Sequence, residues 1–309
     1  MTRALVCMSH SPLLDITTQD RELETDVRCA LGEARAFAAD FDPDVVIAFV
    51  PDHYNGFFYS LMPAFCLGTA ASTVGDYASL AGPLDVPEGL ALDLAESVLN
   101  DGVDLAVSRR MRLDHGTAQP LRVLFGGLDA RPVIPVFVNC VARPIAPLSR
   151  ARALGDAIGR FFAGRDERVL IVGSGGLSHD PPLPAPETAP PALAERLLTG
   201  RPLTPEEAGA KHAGAVAEGK RLASGTSQRH PLEPGWDTAF LDLLAAGNLP
   251  DLDTWTNDDI GARGGGAHEI RTWTAAYAAL AAAGPYQVTY RYYRPVPEYI
   301  AGFAVTTSR

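Results

Sequence analysis

The chain has 309 residues, long enough to bury a core without disulfide or metal staples, and its 20% charged fraction excludes disorder of the whole chain. The formal net charge is −11 and no basic run is present, which argues against a nucleic-acid partner. A small anionic substrate would therefore need a local cation, a metal or an arginine, to hold it.

Residues 4–8 (ALVCM) form a short apolar run that ends at Ser9-His10-Ser11-Pro12. A helical pattern follows over residues 21–39, with Leu23, Val27, Leu31, Ala34 and Ala38 spaced by three and four. Residues 45–50 (VVIAFV) make a second run, which ends at Pro51-Asp52-His53. Further helical patterns lie over 90–99, 148–162 and 192–198, and further apolar runs over 133–141 and 169–172. The last of these leads into Gly173-Ser174-Gly175-Gly176-Leu177-Ser178-His179. Residues 181–191 are rich in Pro and Ala and read as a loop. Ile270, Trp273, Tyr277 and Leu280 mark one face of a late Ala-rich helix, and residues 286–294 read as a final strand. Short apolar runs bounded by Pro or Gly are the mark of buried strands. Their alternation with helices predicts an α/β fold, with a mixed, partly parallel central sheet flanked by helices. No composition shift marks a border, so residues 1–309 read as a single domain.

The four cysteines, Cys7, Cys29, Cys66 and Cys140, form no C-x-x-C pair and read as reduced thiols. The first apolar run is too short for a signal peptide, and no stretch approaches the ~20 apolar residues of a membrane helix. A cytoplasmic protein with no membrane partner is expected.

Histidines carry the chemistry. His10 and His53 each follow the end of an apolar strand, His115 sits in Leu113-Asp114-His115-Gly116, and His179 closes the glycine-rich segment. Ligands of open α/β sheets bind in the crevice beyond the strands' carboxyl ends, so these histidines are expected to line an active-site crevice there. Together they would make a metal site or an acid/base site, although a lone histidine at a strand end is usually a hydrogen-bonded or surface residue. His212 and His230 lie in polar surroundings and read as solvated. Glu269 follows Gly264-Gly265-Gly266 at the first turn of the late helix. It either complements the helix dipole or supplies a metal carboxylate. Two histidines and a carboxylate on one face of an ion, with open positions left, are the arrangement of non-haem Fe(II) oxygenases. His268 beside it could compete as a ligand or fold away.

Other motifs fail. Residues 173–178 depart from G-x-G-x-x-G at Ser178, and Pro181-Pro182 prevents a following helix from receiving a pyrophosphate. The chain holds no G-x-S-x-G and no H-E-x-x-H.

Five segments in order, Ser9-His10-Ser11-Pro12, the run from Pro51-Asp52-His53 to Phe58, Asp114-His115-Gly116, the run from Gly173 to His179, and His268-Glu269-Ile270, resemble the class III extradiol ring-cleavage dioxygenases, the family of protocatechuate 4,5-dioxygenase catalytic subunits. The segment from Arg291 to Phe303 carries the same likeness, which covers nearly the whole chain. The resemblance implies a single catalytic domain of that type. It implies Fe(II) held by His10, His53 and Glu269, with His115 as acid and His179 as base. It also implies a catechol substrate, with 3-(2,3-dihydroxyphenyl)propionate expected, cleaved with O2 to a 2-hydroxy-6-oxo-dienedioic acid, and a homo-oligomer. Asp114 could orient His115 and Asp52 could orient His53, or both could serve as turns and caps. Arg291 and Arg294 are offered as anchors for the substrate side chain. The rival expectation is a zinc-dependent hydrolase using the same three ligands and an activated water.

Overall fold

The computed structural model describes residues 2–15 and 20–309. Its first part comprises β1 (Arg3–Met8), α1 (Arg21–Phe41), β2 (Val45–Val50), β3 (Phe65–Gly68), β4 (Ala71–Val74), β5 (Ala81–Pro83), α2 (Glu88–Asn100), β6 (Ala106–Ser108), β7 (Met111–Leu113) and α3 (His115–Phe125). After it come β8 (Val133–Val138), α4 (Leu148–Phe162), β9 (Val169–Ser174), α5 (Pro191–Thr199), α6 (Pro205–Ala223) and α7 (Pro234–Ala246). The chain closes with α8 (Asn257–Gly261), α9 (Ile270–Ala281), β10 (Val288–Val296) and β11 (Ala301–Ser308).

Eight strands form one mixed sheet in the order β10-β11-β1-β9-β2-β8-β3-β6, and β5-β4-β7 form a small second sheet. The central strands β1, β9, β2 and β8 run parallel to one another, while β11 and β3 flank them antiparallel. Their side chains alternate between two helical layers, as a fully covered sheet requires. Leu5 and Cys7 of β1 join Val45, Ile47 and Phe49 of β2 in a core shared with α2, α4, α7 and α9. Ala4, Val6 and Met8 face the other way, with Val46, Ala48 and Val50, into a core shared with α1 and α3.

Helix α9 is buried on every side rather than on one face. Its approach to α4 depends on glycine: a Cβ on Gly155 would lie 2.1 Å from Ala275 O, and one on Gly159 would lie 2.3 Å from Ala279 O. Thr272 Oγ1 donates to Ser174 O (2.8 Å) and Trp273 Nε1 to Gly175 O (2.9 Å), which pins the start of α9 to the end of β9.

The predicted strands and helices stand, with ends shifted by a few residues. The 286–294 run is not the last strand. It is β10, the outer partner of a hairpin whose second arm, β11, lies against β1. Helix α3 has no counterpart in the sequence reading. It is buried from His115 to Leu121, so it lacks the polar face on which a helical period depends.

Candidate active site

Parallel strands bring their carboxyl ends to one edge of a sheet. Here β1 delivers His10, β2 delivers His53 and β9 delivers the loop to His179, from neighbouring positions. Asp114 caps the N-terminus of α3, its Oδ1 accepting from Gly116 N (2.9 Å), and so sets His115 in the first turn. A short turn over Gly265–Glu269 presents Glu269 where α9 begins. All five side chains are buried, and the structure brings all five predicted residues to one centre.

The Nδ1 atom of each imidazole has a partner facing away from that centre. His10 Nδ1 donates to Ser174 Oγ (2.9 Å), whose own hydroxyl donates to Gly116 O (2.6 Å). His53 Nδ1 donates to Asp114 Oδ2 (2.9 Å), His115 Nδ1 to Asp76 Oδ2 (2.7 Å), and His179 Nδ1 to Leu177 O (2.8 Å). These bonds set the tautomer and leave the four Nε2 atoms for the centre. Glu269 lies among them. Its Oε1 is 3.0 Å from His53 Nε2 and 3.6 Å from His179 Nε2, and its Oε2 is 3.7 Å from His10 Nε2. Gly176 N donates to Oε2 (2.7 Å) and fixes the carboxylate.

This donor set fits a divalent cation. Neighbouring ligands on an ion with bonds of about 2.1 Å lie about 3 Å apart, close to the His53–Glu269 separation. Ligand atoms of His10, His53 and His115 also lie within 4.8 Å of one another. Burial pushes His10 down to about 3, keeping its ring neutral as a ligand must be. Burial also opposes charge on His53, but Asp114 and Glu269 on either side outweigh it and raise that ring well above its usual value. Two buried carboxylates thus favour positive charge at this spot, whether a proton's or a metal's. His179 is likewise raised, burial being outweighed by Glu269.

The centre forms the floor of a cavity of about 640 Å³, walled by the 181–190 loop, α5 and α6. Glycines build a slot for His179. A Cβ on Gly264 (φ 106°) would lie 2.1 Å from His179 O, and one on Gly266 would lie 2.2 Å from His179 Nε2. Tyr54 (φ 58°) and Tyr77 (φ 51°) hold left-handed backbone beside the site, a conformation costly for tyrosine.

Of the two roles offered for each acid, Asp52 and Asp114 both take the turn or cap, and Asp114 also orients a histidine other than its neighbour. Asp114 orients His53 rather than His115, accepting from both its ring and its backbone N–H. Asp76 holds His115 and is missed by the sequence reading, because it lies 39 residues away with no local motif. Asp52 takes the turn role: it accepts from the N–H groups of Asn55, Gly56 and Phe57, while burial and the Asp114 charge push its carboxyl up to about 7. His268 folds away, its Nδ1 2.9 Å from the Arg271 guanidinium. His212 is half-buried, edge-on to the Tyr77 ring at 5.5 Å, whereas His230 is exposed as expected. Arg291 pairs with Asp242 (2.6 Å) and Arg294 with Asp26 (3.1 Å), and neither lines the cavity.

A buried His/carboxylate cluster at the strand ends of a mixed α/β sheet is a group able to hold a metal ion, and the family is established by comparison. Residues 4–304 match the catalytic LigB subunit of aromatic ring-opening dioxygenases, and the chain belongs to that family. Three relatives carry the name 2,3-dihydroxyphenylpropionate/2,3-dihydroxicinnamic acid 1,2-dioxygenase. The one from Mycolicibacterium paratuberculosis is 54% identical, over 100% of this chain and 99% of its own. That from Mycobacterium sp. (strain MCS) is 56% identical over 99% and 98%, and that from Rhodococcus rhodochrous 53% over 100% and 98%. The crystal structure of an uncharacterized Escherichia coli K12 protein shares the fold, with a TM-score of 0.52, 14% identity and 98% of each chain covered. The family makes the chain a metal-dependent ring-opening dioxygenase, and the zinc hydrolase expectation is set aside. Among the described residues, no helix is long and apolar enough to cross a membrane.

Proposed function

We propose that this chain is the Fe(II) extradiol dioxygenase that cleaves 3-(2,3-dihydroxyphenyl)propionate with O2 to a 2-hydroxy-6-oxo-dienedioic acid. The observation that carries this reading is the convergence of four Nε2 atoms and one carboxylate on a single buried centre, each ring being fixed from behind. The relatives' names support the substrate. His10, His53 and Glu269 would hold the metal, a two-histidine, one-carboxylate set that suits Fe(II) and leaves positions open. When bound, the metal supplies a centre where the catechol oxygens and O2 meet and exchange electrons.

The remaining steps belong to the chain. His179 Nε2 faces the centre and takes a hydroxyl proton from the catechol on binding. Glu269, 3.6 Å away, stabilises the imidazolium so formed. His115 is the acid: the proton that His179 removes from the catechol balances the one His115 delivers through Nε2 during O–O cleavage, and Asp76 keeps the His115 ring from turning. The apolar wall of the cavity limits water around the reacting ring. All four cysteines are free thiols, which supports a reducing compartment such as the cytoplasm. Assembly with further copies of the chain rests on the family resemblance.

Anaerobic loading with Fe(II), followed by 2,3-dihydroxyphenylpropionate in aerated buffer, tests the reading. Stoichiometric O2 uptake with a yellow product is expected from the parent. His10→Ala and Glu269→Ala should lose the metal, whereas His115→Ala and His179→Ala should keep it and lose ring cleavage. Parental Fe(II) affinity in His10→Ala would overturn the ligand set, and Fe(II) binding with no O2 uptake would overturn the activity.

A further inference from the structure

Three cations line the cavity: Arg196, Lys211 and Arg229. Arg229 donates to Pro181 O (3.2 Å) and lies 3.7 Å from Asp180 and 3.9 Å from Glu218. Arg196 is 4% exposed, donates to Tyr54 O (2.7 Å) and covers the Phe58 ring at 5.4 Å. Arg229 thus lies beside two carboxylates, while Arg196 has no ion pair among the described residues but is buried against the Tyr54 carbonyl and the Phe58 ring.

Lys211 is placed differently. It stands four residues after Glu207 on α6, the spacing at which a helix pairs opposite charges. Glu207 does not receive it. That carboxylate accepts from Arg201 (2.7 Å) and, as part of a capping box, from Thr204 N (2.9 Å). Lys211 Nζ instead lies over the Tyr77 ring, 5.2 Å from its centre, and 3.4 Å from His53 O. That tyrosine packs edge-on against His115 at 5.0 Å. Among the described residues, no carboxylate forms an ion pair with Lys211. An ammonium has three donors, and here they meet one long bond to a carbonyl. The cavity wall contributed by Pro182, Leu183, Ala189 and Leu193 is apolar. Low polarity strengthens any charge-assisted bond made beside it.

We propose that Lys211 binds the side-chain carboxylate of the substrate and sets the preference for an acidic over a neutral alkyl side chain. The proposal rests on the carboxylate-bearing catechol of the proposed function. With both catechol oxygens at the histidine centre and the ring along the apolar wall, the side chain is directed to Lys211, which sits on the Tyr77 ring beside His115 and is half-buried, whereas Arg196 is 4% exposed and turned onto the Tyr54 carbonyl and the Phe58 ring.

The test compares parent, Lys211→Met and Lys211→Gln on 2,3-dihydroxyphenylpropionate and on 3-propylcatechol, its uncharged counterpart. Calorimetry with 3-phenylpropionate on the metal-free proteins reads the anchor without turnover. The parent is expected to favour the acid, and both variants to lower the acid-to-neutral ratio of kcat/KM about 10- to 100-fold, mainly through KM. Phenylpropionate binding should weaken by a similar factor. Variants that keep the parental ratio and the parental phenylpropionate affinity would overturn the role of Lys211 and leave the proposed function standing. A parent that cleaves both catechols equally well would overturn the carboxylate substrate and the anchor together. A parent that cleaves neither would overturn the dioxygenase reading itself.

Discussion

Gly266→Ala tests the position of His179 without touching the histidine. A Cβ at this residue would lie 2.2 Å from Nε2 and 2.4 Å from Cδ2 of the ring, whereas ordinary contact begins at 3.4 Å. The imidazole must therefore retreat by about 1.2 Å at the atom assigned to proton transfer. It has little room to do so. Nδ1 is held by Leu177 O at 2.8 Å, and a Cβ on Gly176 would meet the ring from another direction at 2.7 Å. A misplacement of about 1 Å in a reacting group costs about 100-fold in rate. Steady-state O2 uptake should show kcat lower by about that factor, while chelator competition shows a smaller loss of metal affinity. The next glycine supplies the control: a Cβ on Gly265 would meet Asp180 Oδ1 at 3.5 Å, an ordinary contact, so Gly265→Ala should keep parental turnover. The double variant Gly266→Ala/His179→Ala should be no slower than His179→Ala alone, because both changes act through one ring. A Gly266→Ala protein at parental kcat would refute the role given to His179.

Asp114→Asn should weaken metal binding about 10- to 100-fold, since it disturbs the acceptor that holds His53; parental affinity in chelator competition would remove Asp114 from the positioning of that ligand. Asp76→Asn should retain metal yet lower kcat about 10- to 100-fold by releasing His115, and equal losses of metal and turnover would argue for a structural role instead. His268 gives a pH signature. Burial, reinforced by Arg271 and Arg143, pushes it down from the usual 6.5 to about 3. Between those values the unfolded chain binds a proton that the folded chain refuses, so stability falls as pH drops below 6.5. His268→Leu should flatten the pH dependence of urea unfolding between pH 7.5 and 5 by up to about 1.4 kcal/mol per pH unit. Identical slopes in parent and variant would show that the buried ring is not held neutral.

Much of the fold was legible because parallel strands covered on both faces read as continuous apolar runs. Residues 45–50 and 148–162 were bounded as the structure has them. Legibility failed where burial erased the period, as along α3, and where an element is short or sits at an edge, as β4–β7 do. That the five candidate residues meet was legible because each sits in a local motif at a strand or helix end. Their supports were not. Asp76 reaches His115 across 39 residues, Ser174 reaches His10 across 164, and Lys211 meets the carbonyl of His53 across 158. For Asp114 the cap role offered by the sequence holds, but the orienting role does not fall on its neighbour His115, because its position at the cap of α3 aims Oδ2 at the end of β2.

The outward anchoring of all four imidazoles has a thermodynamic consequence. A free histidine samples several rotamers, two tautomers and both ring faces, and a site made from such rings would have to order them each time a ligand arrived. Here that disorder is removed by the fold itself, where β1, β2, β9 and α3 meet. Successive ligands therefore meet an arrangement that is already frozen. Their affinities report contacts made rather than order imposed.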